Sequence, residues 1–119
     1  MVVVAESDDE FNQWISSKQQ PTSRPHNDFE ARGQQIFTTS VCAQCHSIQG
    51  TGANGRVGPD LSHVGSRPYL AAGSLLNHPD NLSKWIKDPQ SIKPGIKMPM
   101  NDYSDEDLSA LVTYLENLK

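Results

Sequence analysis

Two thiols and an imidazole lie within five consecutive residues, in the segment Cys42-Ala43-Gln44-Cys45-His46. Cys-x-x-Cys-His is the spacing at which c-type haem is attached to a polypeptide. Each thiol can add to one vinyl group of the porphyrin, and the two intervening residues let both sulfurs reach one edge of the ring. The next imidazole then lies under the ring and can coordinate iron. The motif predicts one covalent haem c, attached at Cys42 and Cys45, with His46 as an iron ligand.

Three other chemistries use two cysteines at this spacing. A redox dithiol of the thioredoxin kind follows a buried strand, whereas residues 34–40 have the pattern of a helix end. A zinc site needs two further ligands at short spacing, and His63 and His78 are isolated. A disulfide between Cys42 and Cys45 would close too small a ring to add much stability. Haem attachment is therefore the favoured interpretation, and a colourless zinc or dithiol module is the alternative.

The composition is that of one small domain. The chain has 119 residues, 35% of them hydrophobic, and a formal net charge of −4. The apolar fraction is low for a globular domain, and a buried porphyrin would add apolar surface for packing. The negative charge does not favour nucleic-acid binding. No apolar run approaches the ~20 residues of a membrane span.

The first 25 residues are predicted to form an N-terminal arm or linker with a short helix, and residues 26–119 the haem domain. Residues 1–5 are too short and lack the charge of a secretion signal. Because bacteria attach haem covalently outside the cytoplasm, we expect an extracytoplasmic domain of a longer mature protein, with an added Met1.

Capping residues and apolar spacing predict five helices. Ser7 and Glu10 form a capping box for the first helix, expected over about Asp8–Lys18, Asp28 caps the second, and Ser104 caps the last. Two shorter helices are expected to begin at proline, one from Pro68 to residue 76 and one that starts at Pro79 and is ended by Pro89. Residues 49–66 and 89–103 are expected to be irregular. No strand pattern is present, so the predicted fold class is all-α.

The order of these features resembles that of class I cytochrome c, over about Asp28 to Lys119. The features are a helix, Cys-x-x-Cys-His, Gly-Pro-x-Leu at residues 58–61, Met98-Pro99 and a C-terminal helix. The resemblance implies helices wrapped around one covalently bound haem. It also implies a close crossing of the first and last of these helices, with Gly33 and Phe37 meeting Tyr114.

The resemblance further implies how iron is held. The Pro59 carbonyl would accept a hydrogen bond from the His46 ring, and the Met98 thioether would be the second axial ligand, which raises the reduction potential. Met100 lies in the same loop and is the less favoured sulfur. His63 and His78 are the bis-histidine alternatives.

Burying the haem propionates requires cations or hydrogen-bond donors. Arg67 and Trp85 are the first candidates for this role, and Arg56 and Tyr69 are further ones.

A narrower resemblance is to the cytochrome c domain fused to subunit II of bacterial caa-type haem–copper oxidases. It rests on Asn54–Arg67, Trp85–Pro89 and Lys93–Pro99. Residues 2–7, with Phe11 and Trp14, resemble the segment that follows the dinuclear copper domain in those proteins, although the copper ligands are absent from this sequence. The resemblance implies transfer of electrons from a redox donor protein or quinol-oxidising complex to that copper domain.

A haem iron with both axial positions filled by protein favours one-electron transfer over peroxidase or oxygenase chemistry. We therefore expect an electron carrier without catalytic residues of its own. It would lie in the periplasm or on the outer face of the cytoplasmic membrane, tethered through a parent membrane protein. Clustered lysines could steer docking; they are Lys84, Lys87, Lys93 and Lys97. The alternatives are a free soluble cytochrome c shuttle and a haem enzyme or gas sensor with a labile Met98.

Overall fold

Two long helices that cross at a glycine hold the fold together. They are α2 (Asp28–Thr39) and α6 (Asp105–Asn117) of a computed structural model that describes residues 2–119. A Cβ atom at Gly33 would lie 2.1 Å from the Ala110 carbonyl oxygen and 2.7 Å from Tyr114 Cβ. The two backbones therefore touch, as the resemblance implied, and Phe37 and Tyr114 are both buried beside the crossing.

The remaining elements are short and follow the chain around these two helices. The arm contains α1 (Asp8–Lys18). The other helices are α3 (Cys42–Cys45), α4 (Pro79–Lys87) and α5 (Pro89–Ile92). Single 3₁₀ turns occupy Val64–Ser66 and Ala71–Gly73, and an antiparallel pair consists of β1 (Tyr69–Leu70) and β2 (Leu75–Leu76).

The core is built on the apolar stripe of α6. Leu108, Leu111, Val112 and Leu115 are buried, as their spacing predicts. They pack with apolar side chains from α2, α4 and the connecting loops, namely Phe37, Ile48, Val64, Leu70, Leu82, Ile86 and Leu118. Within residues 2–119, none of the helices has both the length and the hydropathy needed to cross a membrane.

The local signals for helix ends are largely confirmed. Ser7 and Glu10 form the capping box of α1, whose bounds are those predicted, and the Ser104 side chain accepts a hydrogen bond from the Asp107 amide at the start of α6. The predicted cap at Asp28 is wrong by one residue, because the Asn27 side chain accepts from the Glu30 amide at 2.9 Å. Asp28 lies instead in the first turn of α2, where its charge favours the helix dipole.

The predicted helix over 68–76 is wrong, and a small β-hairpin stands in its place. Tyr69 pairs with Leu76, and Leu70 with Leu75. The turn between the strands has Ala71 and Ala72 at positive φ, a conformation that local propensity does not predict for alanine. The Asn77 side chain donates to two backbone carbonyls before the hairpin, those of Val64 and Arg67, both at 2.8 Å. These non-local bonds hold the ends of the segment together and override its helical pattern.

The loop predicted over 89–103 also contains a helix. As predicted, α4 ends just before Pro89, with Lys87 as its last residue, but Pro89 also begins the short helix α5. The Asp88 carboxylate accepts a hydrogen bond from the Ser91 amide at 3.1 Å and so caps α5.

Replacing Gly33 with alanine should destabilise the fold strongly. Alanine favours a helix over glycine by about 1 kcal/mol, but a Cβ placed against the Ala110 carbonyl forces α2 and α6 apart. Because overpacking costs about 1–3 kcal/mol or more, we expect Gly33→Ala to lower the free energy of unfolding by a net of about 2 kcal/mol in urea titrations. Gly52→Ala is the matched control, since its Cβ would meet no atom within 4 Å. Equal stability of the two variants would contradict the close crossing.

Candidate functional site

All seven site residues predicted from the sequence line one cleft of about 800 Å³ between α2, α3, α4 and α6. They are Cys42, Cys45, His46, Pro59, Arg67, Trp85 and Met98. The walls of the cleft are largely apolar, with Phe37, Leu82 and Leu111 among the lining side chains. Its volume lies within the roughly 300–1,000 Å³ of small-molecule and cofactor sites.

The two thiols are held on a single helical turn. Cys42 and Cys45 begin and end α3, and the His46 amide donates to the Cys42 carbonyl at 2.8 Å. Both thiols are free and partly buried. The following loop packs against this turn, because the Gly58 amide donates to the Cys45 carbonyl at 2.7 Å and the Gly55 amide to the His46 carbonyl at 3.1 Å. The loop thereby fixes the turn that carries the thiols.

The His46 imidazole is oriented by a backbone carbonyl. Its Nδ1 atom lies 2.8 Å from the Pro59 carbonyl oxygen. Since a carbonyl can only accept, Nδ1 carries the proton and Nε2 keeps the lone pair that can bind a metal. A Cβ at Gly58 would lie 2.4 Å from Cε1 of the same ring. The site therefore needs a glycine at position 58, a requirement that the sequence analysis did not recognise.

Asp60 anchors the backbone that carries the Pro59 carbonyl. One carboxylate oxygen accepts from the Ser47 hydroxyl at 2.7 Å, and the other from the Ser62 amide at 2.9 Å. Its own carbonyl accepts from Arg67 Nη2 at 2.5 Å. Burial raises the pKa of Asp60, but the hydrogen bonds from Ser47 and Ser62 and the charge of Arg67 outweigh burial and hold that pKa below its ordinary value. Asp60 is therefore ionised at neutral pH and keeps Pro59 in place.

The two candidate sulfur ligands, Met98 and Met100, differ in their position relative to the cleft. Met98 lines the cleft and is half-buried, whereas Met100 is 64% exposed. Gln90 of α5 holds the backbone before Met98, since its side-chain amide donates to the Ile96 carbonyl at 2.7 Å and its side-chain oxygen accepts from the Gly95 amide at 3.0 Å. No local sequence pattern marks Gln90, because residues 89–103 lack helical periodicity and are expected to be irregular.

Of the alternative iron ligands and propionate partners, some lie at the cleft and others are exposed away from it. His63 is buried at the cleft, and its Nδ1 donates to the Lys119 carbonyl at 2.7 Å. His78 lies at the exposed start of α4. Tyr69 lines the cleft and Arg56 is exposed. His63 is therefore the histidine alternative to Met98 that the fold brings to the cleft.

Tyr103 is a further contact of the attachment motif that the sequence did not reveal. Its hydroxyl lies 3.6 Å from Cys42 Sγ. Burial, followed by the contact with Cys42, raises the pKa of Tyr103 despite an opposing hydrogen bond from Ser40. The phenol is therefore neutral at pH 7, and the segment between Met98 and α6 touches the thiol-bearing turn through it.

These features fit the haem c that the motif predicts. The cleft combines two thiols one helical turn apart, an imidazole with a free Nε2, a thioether and apolar walls for a flat ring. Four cationic side chains also line it, which suits the two carboxylates of a haem; they are Lys18, Arg67, Lys93 and Lys97.

Comparison with known proteins gives matches that agree with the haem site described above. The family model for Cytochrome c matches residues 30–119. Cytochrome c oxidase subunit 2 of Alkalihalophilus pseudofirmus is 37% identical over 118 residues, which cover 98% of this chain and 34% of that protein. Cytochrome c2 iso-2 of Magnetospirillum molischianum is 32% identical over 93 residues, which cover 67% of this chain and 93% of that protein. The chain thus spans about a third of the length of the oxidase subunits it matches.

A solved structure is similar in fold. The c-type cytochrome SorU from Sinorhizobium meliloti superposes with a TM-score of 0.54 at 24% identity, covering 76% of this chain and 91% of that chain. This likeness confirms the fold class predicted from the sequence.

Gly58→Ala should loosen the His46 ring without removing any side chain of the site. The added Cβ would clash with Cε1, so the ring must move away from the Pro59 carbonyl. Since a hydrogen bond is worth about 1 kcal/mol, we expect the His46 Nδ1 proton of the reduced, haem-loaded protein to exchange roughly fivefold faster by NMR. Gly52→Ala should leave the rate unchanged. An unchanged rate in Gly58→Ala would show that the loop does not hold the ring.

Proposed function

This chain belongs to the cytochrome c family, and we propose that it delivers electrons to the dinuclear copper centre of a terminal cytochrome c oxidase, as a domain of subunit II. The general activity of the chain is electron transfer. The observation that carries the finer assignment is the extent of the match to an oxidase subunit 2. The family model begins at residue 30, whereas the similarity to that subunit covers 98% of the chain and so includes most of the N-terminal arm.

In this proposal Cys42 and Cys45 would attach the haem, and His46 and Met98 would hold its iron. When bound, the haem supplies an iron that alternates between Fe(II) and Fe(III). The hydrogen bond from Nδ1 to the Pro59 carbonyl leaves Nε2 of His46 free to bind a metal. Met98 is kept at the cleft by the hydrogen bonds between Gln90 and the backbone of Gly95 and Ile96. With both residues held in place, no position at the iron would remain open to a substrate. This set of residues therefore supports electron transfer rather than an enzyme or gas sensor.

The arm and the domain have separate roles in this proposal. Residues 1–25 link the haem domain to a preceding copper domain, and residues 26–119 hold the haem. The parent subunit places the domain outside the cytoplasm, where a redox donor protein or quinol-oxidising complex reduces it. Support for the division comes from α1 (Asp8–Lys18), which has no buried residue, unlike α2 and α6.

The charge distribution supports a docking face for the redox partners. Lys84 and Lys87 are exposed on α4, and the exposed Lys93 and Lys97 lie where the cleft opens. Acidic residues occupy the first turns of α1 and α6. A surface with separated charge steers an acidic partner toward the lysine face and raises the association rate.

A free soluble shuttle is the second candidate. It is favoured by the similarity to cytochrome c2 iso-2, of which the chain covers 93%. A cluster of copper ligands encoded upstream of Val2 would favour the oxidase subunit, and a secretion signal directly upstream would favour the shuttle.

The oxidase assignment is tested by stopped-flow oxidation of the reduced chain with oxidase from the same organism. We expect rapid oxidation that requires the dinuclear copper centre and slows about tenfold at low salt when Lys84→Gln and Lys87→Gln are combined. The matched control combines Lys84→Arg and Lys87→Arg, which keeps the charge and should keep the rate. At high salt the difference should disappear.

Two results would contradict parts of this account. If copper-depleted oxidase accepts electrons at the same rate, the copper centre is not the acceptor. If oxidation requires copper but the glutamine and arginine variants react equally fast, the lysines do not form the docking face.

A further inference from the structure

The N-terminal arm places a cation in the haem cleft. Lys18, the last residue of α1, lines the cleft beside Ser66 and Arg67. Its Nζ donates to the Ser66 hydroxyl across 48 residues of sequence. Lys18 lies before residue 30, where the family match begins. The cation therefore comes from outside the part of the chain that the family model covers.

Lys18 and Arg67 are like charges, and within residues 2–119 neither forms an ion pair with a carboxylate, although Arg67 is near enough to lower the pKa of Asp60. Over residues 2–119, the ion pairs involve His26, Arg32 and His78 as the cationic partners. Arg67 donates to the backbone carbonyl of Asp60. Both carboxylate oxygens of Asp60 already accept hydrogen bonds, from Ser47 and Ser62.

The surroundings of Lys18 favour an anion. Both Lys18 and Arg67 are half-buried, and the pKa of Lys18 is lowered, first by burial and then by the charge of Arg67. Two partly desolvated cations that repel each other are stabilised by a shared anion. Haem brings two carboxylates to the cleft, so the chemistry of the missing partner matches the cofactor implied by the family.

We propose that Lys18 binds a haem propionate together with Arg67, and so fixes the N-terminal arm to the haem. The inference rests on the proposed haem site. It explains how α1 is held to the domain although none of its residues, Asp8–Lys18, is buried. In a fused oxidase subunit, the same contact would tie the haem edge to the segment leading to the copper domain.

The test compares Lys18→Gln with Arg24→Gln in haem-loaded protein, after intact mass has shown equal haem attachment. Arg24 is an exposed cation of the same arm that does not line the cleft, and it gives the matched change of charge. A nearby cation favours ferrous over ferric iron, so Lys18→Gln should lower the ferrous-to-ferric ratio severalfold at a fixed potential. Chymotrypsin should also cut several times faster at Phe11 and Trp14, both of which are half-exposed. Arg24→Gln should change neither quantity, and Lys18→Arg should restore both.

The Ser66→Ala variant distinguishes binding of Lys18 to a propionate from its hydrogen bond to the Ser66 hydroxyl. It removes the Ser66 partner of Lys18 but keeps the cation, so it should leave the ferrous-to-ferric ratio unchanged. If Lys18→Gln speeds cleavage without changing that ratio, Lys18 holds the arm through Ser66 and the proposal is overturned. If the protein carries haem and Lys18→Gln matches wild type in both measurements, this inference alone fails. A wild-type protein without haem would overturn the proposed function as well.

Discussion

The hydrogen bond between the His46 imidazole and the Pro59 carbonyl is the constraint on which the site depends. It decides which ring nitrogen keeps its lone pair, and it requires a loop that closes over the attachment motif. That loop is bonded to the thiol-bearing turn by the Gly55 and Gly58 amides, and Asp60 holds its far end. The loop thereby controls which nitrogen of the His46 ring is free to bind a metal.

The fold supplies the two sides of the cleft from separate parts of the chain. The crossing of α2 and α6 at Gly33 fixes the motif, because α3 follows α2 directly. Met98 comes from a loop that is clamped by Gln90 and linked to Cys42 through Tyr103. A ligand that bridges these parts stabilises the folded chain by binding the native arrangement preferentially. In the proposed electron carrier, this arrangement would hold the iron ligands in place.

Sequence reasoning succeeded where the determining interactions are local. The attachment motif spans five residues, the caps of α1 and α6 act over three, and the stripe of α6 repeats every helical turn. It failed at the β-hairpin of residues 69–76, where side-chain bonds from Asn77 outweigh helical propensity. The contacts of Lys18 with Ser66 and of Tyr103 with Cys42 cross 48 and 61 residues. No local sequence pattern marks such pairs. The contacts that the arm and the segment after Met98 make with the rest of the domain could therefore be found only from the structure.

In the proposed site, His46 and Met98 together hold the iron of a covalently attached haem. Iron K-edge X-ray absorption on the mature, haem-loaded protein measures the iron ligands directly. We expect one sulfur neighbour in wild type and in Met100→Ala, and none in Met98→Ala. A wild-type iron without a sulfur neighbour, or a sulfur that persists in Met98→Ala, would contradict this proposal.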